Sequence, residues 1–367
     1  MSPSPGPARR RAPGPATQTG VSSIHDVARR AGVSTATVSR ALRGLDNVSE
    51  STRTRVLSAA RDLHYVASPT ATSLATGRTG VVGVVAPFVS RWFFATVLGG
   101  AESRLRAHGL HVLLFSIGAP GEGRKTLLDM QLLHKRFDAL LVIACDLYEA
   151  EIALLRRLGI PIVTVGLEVE GWDRVGIDDV AAADTAMTHL LGLGHRRVAF
   201  IGGDDAVDVH RATAVHRMRG VRRALHRAGL PTACPELLLG DWTPVGAERA
   251  ARELLARPDR PSAVLAASDE MAMGVLSAAH RLGLRVPDDV SVMGIDDHEL
   301  AFTHALTTVA QPVAEQGELA AQLLIQTLVR ASGGPGVAGR GRLHLLPTRV
   351  VERGSTGPVA RAVAAAG

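Results

Sequence analysis

Two successive sets of apolar runs, each interleaved with amphipathic stretches, restrict this chain to layered α/β architecture. VVGVVAP, HVLLFSI, ALLVIA and PIVTVG (residues 81–87, 111–117, 139–144 and 161–166) form the first set; RVAFIGG, ELLLGD, AVLAAS and VSVMGID (197–203, 236–241, 263–268 and 290–296) form the second. Strands apolar on both faces of the pleat need helices on both sides, which is the setting of parallel sheets. The repeat predicts two α/β lobes. Ligands of open parallel sheets bind beyond the carboxyl ends of the strands, so the cleft between the lobes is the default site. With 367 residues, 46% of them hydrophobic, the chain can fill both cores and still carry another domain.

That further domain is written at the start, in SIHDVARRAGVSTATVSRALRG (23–44). Ile24, Val27, Ala28 and Ala31 recur at helical spacing behind Ser23, an N-cap candidate; Gly32-Val33 interrupts the pattern and Ser34 restarts it. Val38, Ala41, Leu42 and Leu45 then supply an apolar face, while Thr35, Ala36, Thr37, Ser39, Arg40 and Arg43 supply a small, hydroxylated and cationic one. Small side chains allow close approach in a DNA major groove, methyls touch thymine, and an arginine spans two guanine acceptors. A third pattern beginning at Ser49, with Val56, Leu57, Ala60 and Leu63, closes a three-helix headpiece near Tyr65. Ser68-Pro69 then opens a short helical stretch with Ala71, Leu74 and Ala75, stopping at Gly77.

Charge is unevenly placed. Residues 1–80 hold 11 Arg, no Lys and 4 acidic residues, a net of +7, which leaves the rest of the chain at −1 of a total of +6. A cationic end of this kind suits a polyanion, whose counterions it displaces. Cys145 and Cys234 stand far apart, outside any CxxC spacing. They fit a reducing compartment. MSPSPGPARRRAPGPATQTG lacks an apolar export core, so a cytoplasmic protein with no membrane partner is expected, with residues 1–20 a disordered tail.

DVARRAGVSTATVSRALRG, LGHRRVAFIGG, RMRGVRRAL, SDEMAMGVLSAAHRLGLRVPDDVSVMGIDD, LTTVAQP and LLPTRVVERGST follow one another in order over about residues 21–356. In these motifs the chain resembles the LacI family of bacterial transcription regulators. The resemblance implies an all-α helix-turn-helix headpiece (21–66) and a hinge helix (67–78). It also implies a periplasmic-binding-protein-like effector domain, with a first lobe at 79–180 and 312–330, a second at 181–311 and 341–356, and a tail at 357–367. It implies a homodimer on double-stranded operator DNA, usually repressing, whose grip is governed by a small molecule, a sugar or sugar derivative, between the lobes. On the DNA side, Thr35, Ala36 and Arg40 fall on base-reading positions, Thr37, Ser39 and Tyr65 on phosphate-positioning ones, and Leu74 on the apolar wedge of the minor groove. In the cleft, Arg217, Trp242, Ser268 and Asp296 fall on effector-binding positions; Asp178 is a further aspartate that serves either the ligand or its own loop. Trp242 has an alternative place in the core and Asp296 one as a helix cap.

The chain departs from the family pattern at Ala67-Ser68 and Thr72 in the hinge, at Arg91-Trp92 in the usual Asn-Pro-Phe-Phe, at Gly166 where an aspartate is common, and at His304-Ala305. These departures bear on effector choice more than on DNA binding, so phosphorylated metabolites, nucleosides and protein partners stay open as signals. An enzyme is not expected: the sequence has no P-loop, GxSxG, HExxH or paired cysteines, and no GxGxxG at a strand-helix turn. Neither cofactor nor metal is called for. An exported solute-binding protein would have no use for the cationic headpiece.

Overall fold

The computed structural model describes residues 22–65, 77–118, 136–203, 211–230, 236–331 and 341–359. Leu74, Ala67, Ser68, Thr72, Cys234 and both tail segments that the sequence singles out lie outside them, apart from 357–359 of the second. Residues up to Arg78 form one unit and those from Thr79 a second.

In the first unit, α1 (Ile24–Ala31), α2 (Thr35–Leu42) and α3 (Glu50–Asp62) enclose a small core of Val27, Ala31, Val38, Ala41, Val56 and Ala60. Ser23 caps α1 in a reciprocal box with Asp26, and Ser34 caps α2 through the Thr37 amide at 3.2 Å. The break between the helices is made by Gly32 at φ 65°, whose amide closes α1 in the left-handed conformation that a glycine adopts without strain. Two apolar residues of the sequence pattern are not core. Leu45 lies beyond the end of α2 and is exposed, and on α3 the inward positions are Val56, Ala59 and Ala60, which turns Leu57 to the surface.

The second unit has two six-stranded sheets. In chain order its elements are β1 (Val81–Ala86), α4 (Trp92–Arg106), β2 (His111–Ser116), β3 (Ala139–Ile143), α5 (Glu149–Arg157), β4 (Ile162–Val165) and β5 (Asp173–Gly176). Then come α6 (Asp179–Gly192), β6 (Val198–Gly202), α7 (Arg211–Arg227), β7 (Glu236–Leu239), α8 (Pro244–Leu255), β8 (Ala263–Ala266), α9 (Asp269–Arg281), β9 (Ser291–Asp296) and β10 (Thr307–Ala310). The last three are α10 (Val313–Ala331), β11 (Leu343–Leu345) and β12 (Arg349–Val351). The strand orders are β11-β5-β4-β3-β1-β2 and β12-β10-β9-β8-β6-β7.

Pairing is parallel except between β12 and β10. Residues 341–356, which the sequence assigns wholly to the second lobe, are split: β11 adds to β5 of the first sheet, and only β12 joins the second. Among the described residues the chain passes between lobes after β5, after β10 and after β11, and α10 packs back on α4 and the first sheet. Central strands such as β3 and β9 are buried throughout, as their unbroken apolar character requires. HVLLFSI and ELLLGD sit instead at the sheet edges, where Leu114, Leu237 and Leu239 are exposed.

The second lobe is tied at its amino-terminal strand ends by His195. Its Nδ1 lies 2.9 Å from Ser262 Oγ, and its Nε2 lies 3.1 Å from Ser291 Oγ and 3.0 Å from the Gly357 carbonyl. Burial holds its imidazole below the ordinary histidine range. A depressed folded pKa contributes stability above the unfolded value and loses it as pH falls. The gap in thermal midpoint between the wild-type chain and His195→Gln should therefore be widest near pH 7.5 and shrink toward pH 5, which differential scanning calorimetry at both values checks.

Candidate functional site

The cleft lies where the carboxyl ends of the strands meet the crossover segments. Its cavity takes in about 680 Å³ of atom-free space, part of it open to solvent. The second lobe contributes Asp179, Thr213, Arg217, Trp242, Ser268, Glu270 and Asp296; the first contributes Phe93, Phe94, Ala144, Gly166 and Arg91; Gln311 and Gln316 lie where the chain crosses back. All four effector residues expected from the sequence, Arg217, Trp242, Ser268 and Asp296, thus line one space.

Arg217, on α7, is only 5% exposed. Its Nε donates to Asp179 Oδ1 at 2.9 Å, its Nη1 donates to the Ala267 carbonyl, and the same nitrogen lies 3.9 Å from Asp296 Oδ1. A buried guanidinium needs acceptors in the plane of its fork, and two carboxylates and a strand-end carbonyl supply them. Asp179 was not singled out in the sequence. Asp178 beside it is exposed and caps α6 through the Ala181 amide at 2.9 Å.

Asp296 ends β9 at φ 142°, outside ordinary strand geometry, and serves as no helix cap. It accepts from Gln311 Nε2 at 2.6 Å. Burial pushes its carboxyl above the ordinary carboxylate range, against the pull of Arg217 and of the Gln311 hydrogen bond. Asp269 is raised in the same way, first by burial and then by the Asp296 charge, although Thr308 Oγ1 and the His298 amide both donate to it at 2.6 and 2.9 Å. Glu270, also on the cavity wall, is raised by burial and lowered by the Arg91 charge.

Trp242 is both core and cavity wall: 9% exposed, with the Arg217 guanidinium carbon 5.9 Å from its ring centroid. Its backbone and that of Asp241 hold φ of 52° and 53°, an uncommon conformation for large side chains. Gly203 makes room for the indole, since a β-carbon there would stand 1.8 Å from Trp242 Nε1. Ser268 Oγ accepts from the Met271 amide at 3.3 Å as the N-cap of α9, so its hydroxyl proton is the part left for a ligand. Across the cleft, Trp92 stacks on His298 with ring centroids 4.6 Å apart, a lobe-to-lobe contact at a position where the family commonly has proline.

On the headpiece, Thr35 and Ala36 occupy the first turn of α2. Ala36 and Arg40 are exposed, and Thr35, Thr37 and Ser39 are half-buried. Thr37 Oγ1 lies 2.9 Å from Ser34 Oγ, and Tyr65 packs against the headpiece core. Among the described residues no cluster of three or more His, Cys, Asp or Glu side chains could hold a metal, and no helix is long and apolar enough to cross a membrane.

Comparison with known proteins agrees with this geometry. Residues 23–68 match the family described as bacterial regulatory proteins, lacI family, and residues 187–356 match the periplasmic binding protein-like domain. The HTH-type transcriptional repressor CytR of Escherichia coli (strain K12) is 34% identical over 342 residues, 91% of this chain and 96% of the relative. Among solved structures, the lac repressor dimer bound to operator and the anti-inducer ONPF superimposes with a TM-score of 0.80 at 25% identity, covering 92% of this chain and 100% of that one. The regulator CelR in complex with cellobiose gives 0.66 at 30% identity, covering 91% and 99%. With a family headpiece, a two-lobed effector domain and a relative of this similarity along nearly its whole length, the chain belongs to the LacI family and is a transcriptional regulator, not an enzyme.

Proposed function

We propose that the protein is a homodimeric repressor that reads a pseudo-palindromic operator through α2 and releases it according to a neutral small molecule held between the lobes. The observation that carries this is the capped pair α1–α2, which buries Val38 and Ala41 and leaves Ala36 and Arg40 outward. Thr35, Ala36 and Arg40 are the base-reading residues; Thr37, Ser39 and Tyr65 position the headpiece on phosphates; Leu74 is the minor-groove wedge, with its twin supplied by the second protomer. The operator-bound dimer among the structural neighbours supports that assembly. The protein accordingly acts in the cytoplasm, where its DNA is. Residues 21–66 and 67–78 serve as headpiece and hinge, and the two lobes as the effector domain.

For the effector, Arg217, Asp296, Trp242 and Ser268 form the recognition set. The charge of Arg217 is already matched by Asp179 and Asp296, so the second lobe offers carboxylates to hydroxyls and no surplus cation to a phosphate. A sugar or sugar derivative fits this wall, and the cellobiose bound to CelR supports it. A nucleoside is the second reading, favoured by the other wall: Phe93, Phe94, Ala144 and Gly166 make an apolar slot suited to a flat ring.

Calorimetric titration with D-ribose, D-glucose, cellobiose, glucose 6-phosphate and uridine tests the effector. Binding by a neutral compound with none by glucose 6-phosphate is expected; silence toward all five overturns the small-molecule reading. Arg40→Ala should weaken specific operator binding by about 1–3 kcal/mol and relax preference at one base pair, as scored by selection from random duplexes; uniform weakening over all sequences would move Arg40 to the phosphates. Replacing Arg217 by Met leaves Asp179 and Asp296 facing each other without a cation. Urea unfolding should show a loss of about 3–5 kcal/mol.

A further inference from the structure

Gln316 is the anomaly in the floor of the cleft. It lies in α10 and is 2% exposed, on a helix that otherwise buries Val313, Ala320, Ala321 and Leu324. Its Nε2 donates to Gln311 Oε1 at 2.8 Å, and Gln311 Nε2 donates in turn to Asp296 Oδ1 at 2.6 Å. Gln311 and Asp296 are each 7% exposed, so no part of this row is solvated at the surface.

An amide has a direction, which makes the row a chain of dependence. A carboxylate only accepts, so Gln311 must turn its NH₂ to Asp296 and its carbonyl away; the atom that meets that carbonyl must be a donor, and Gln316 provides one. Oδ1 of Asp296 is engaged by Gln311 and approached by Arg217, and the Asp269 amide also bears on the carboxyl group, so the Gln311 bond turns Oδ2 toward a ligand hydroxyl. The donor at the far end sits on a first-lobe helix, whereas Asp296 belongs to the second.

We propose that Gln316 is a positioning residue for effector binding: acting through Gln311, it fixes which oxygen of Asp296 faces the ligand and ties the other oxygen to the first lobe. The proposal rests on the effector-cleft reading above. A space-filling role for Gln316 predicts that any side chain of its size would do. The relay predicts that size is not enough, because the donor matters.

Gln316→Met and Gln316→Glu separate the two. Glutamate is nearly isosteric but is a donor only when protonated; ionised, it would turn the Gln311 amide over and aim a carbonyl at Asp296. Titration calorimetry of the full chain with D-ribose, D-glucose, cellobiose and uridine, at pH 5 and pH 8.5, reads each variant as a ratio to wild type. Arg217, Asp179, Glu270 and Asp297 also surround Asp296, and burial raises Asp296 and Asp269 so that both titrate between these pH values; Gln316→Met carries that titration without a new charge, and the effect of the donor is read as the ratio of Gln316→Glu to Gln316→Met at each pH.

Gln316→Met should lose about tenfold at both pH values, and Gln316→Glu should bind within about threefold of wild type at pH 5 and lose about a hundredfold at pH 8.5. Binding by both variants within about twofold of wild type at both pH values overturns the relay while leaving the effector cleft intact. Wild-type silence toward all four compounds overturns the cleft reading and the relay with it. If circular dichroism shows that Gln316→Glu does not fold, Gln311→Met alone and combined with Gln316→Met decides: the second change should add nothing to the first, and additive losses overturn the proposal.

Discussion

The guanidinium of Arg217 is the point on which the second lobe's end of the cleft depends. It draws together the first turn of α6 through Asp179, the end of β8 through the Ala267 carbonyl and the end of β9 through Asp296. Taking this cation and two carboxylates out of water costs several kcal/mol per ion, and an apolar replacement of equal volume would often be as stable. Its value here is positional. A carboxylate at a strand end can be aimed at a ligand hydroxyl only if something holds it, and here the always-charged Arg217 attracts Asp296 from 3.9 Å while the Gln311 amide bonds it at 2.6 Å. Trp242, held at positive φ beside the same arginine, gives the ligand an apolar face next to its polar partners.

Most of the scaffold was legible because strand texture and helix periodicity are local properties. The unbroken apolar runs became β1, β3, β4, β6, β8 and β9, and the glycine-broken pattern became α1 and α2 with Ser23 and Ser34 as caps. The motifs shared with the LacI family also brought Arg217, Trp242, Ser268 and Asp296 to one cavity, although they are scattered over some eighty residues of sequence. What stayed hidden was set by crossings and edges. Asp178 and Asp179 look alike in sequence, and only the entry of the chain into α6 decides that the first caps and the second turns inward. Gln311 and Gln316 carry no local signal, because their meaning comes from the crossover that lays them against a carboxylate in the other lobe. The division of residues 341–356 between sheets is equally non-local: three-residue strands are too short to announce which edge they will join.

Two of the departures from the family pattern, at Gly166 and Arg91-Trp92, lie on the first lobe's side of the cleft. Gly166 removes a carboxylate from that wall, and Arg91-Trp92 places a cation near Glu270 and an indole on His298. The carboxylates of the cavity wall thereby all come from the second lobe, while the first supplies shape, an apolar surface and the cation of Arg91. Under the proposed function, a ligand that covers the half-buried Phe93 supplies differential affinity, whereas Phe94 is already buried. Only differential affinity of this kind can shift a population between states.

How such a shift leaves the effector domain is constrained by where the chain enters it. Thr79 and Gly80 precede β1, and both of their amides donate to the Asp138 carboxylate at 2.8 Å, one to each oxygen. That clamp sits at the amino-terminal end of the strand, whereas the cleft residues Phe93 and Phe94 follow its carboxyl end, six residues or about 20 Å away. β1 lies between β3 and β2 with residues on both faces buried, so displacing it would disturb both neighbouring strands and both packed faces. On the proposed function, a signal from the cleft reaches Thr79 through the first lobe as a body, and Gln311 and Gln316, which join the lobes at the crossover, are the contacts that would link occupancy at Asp296 to it.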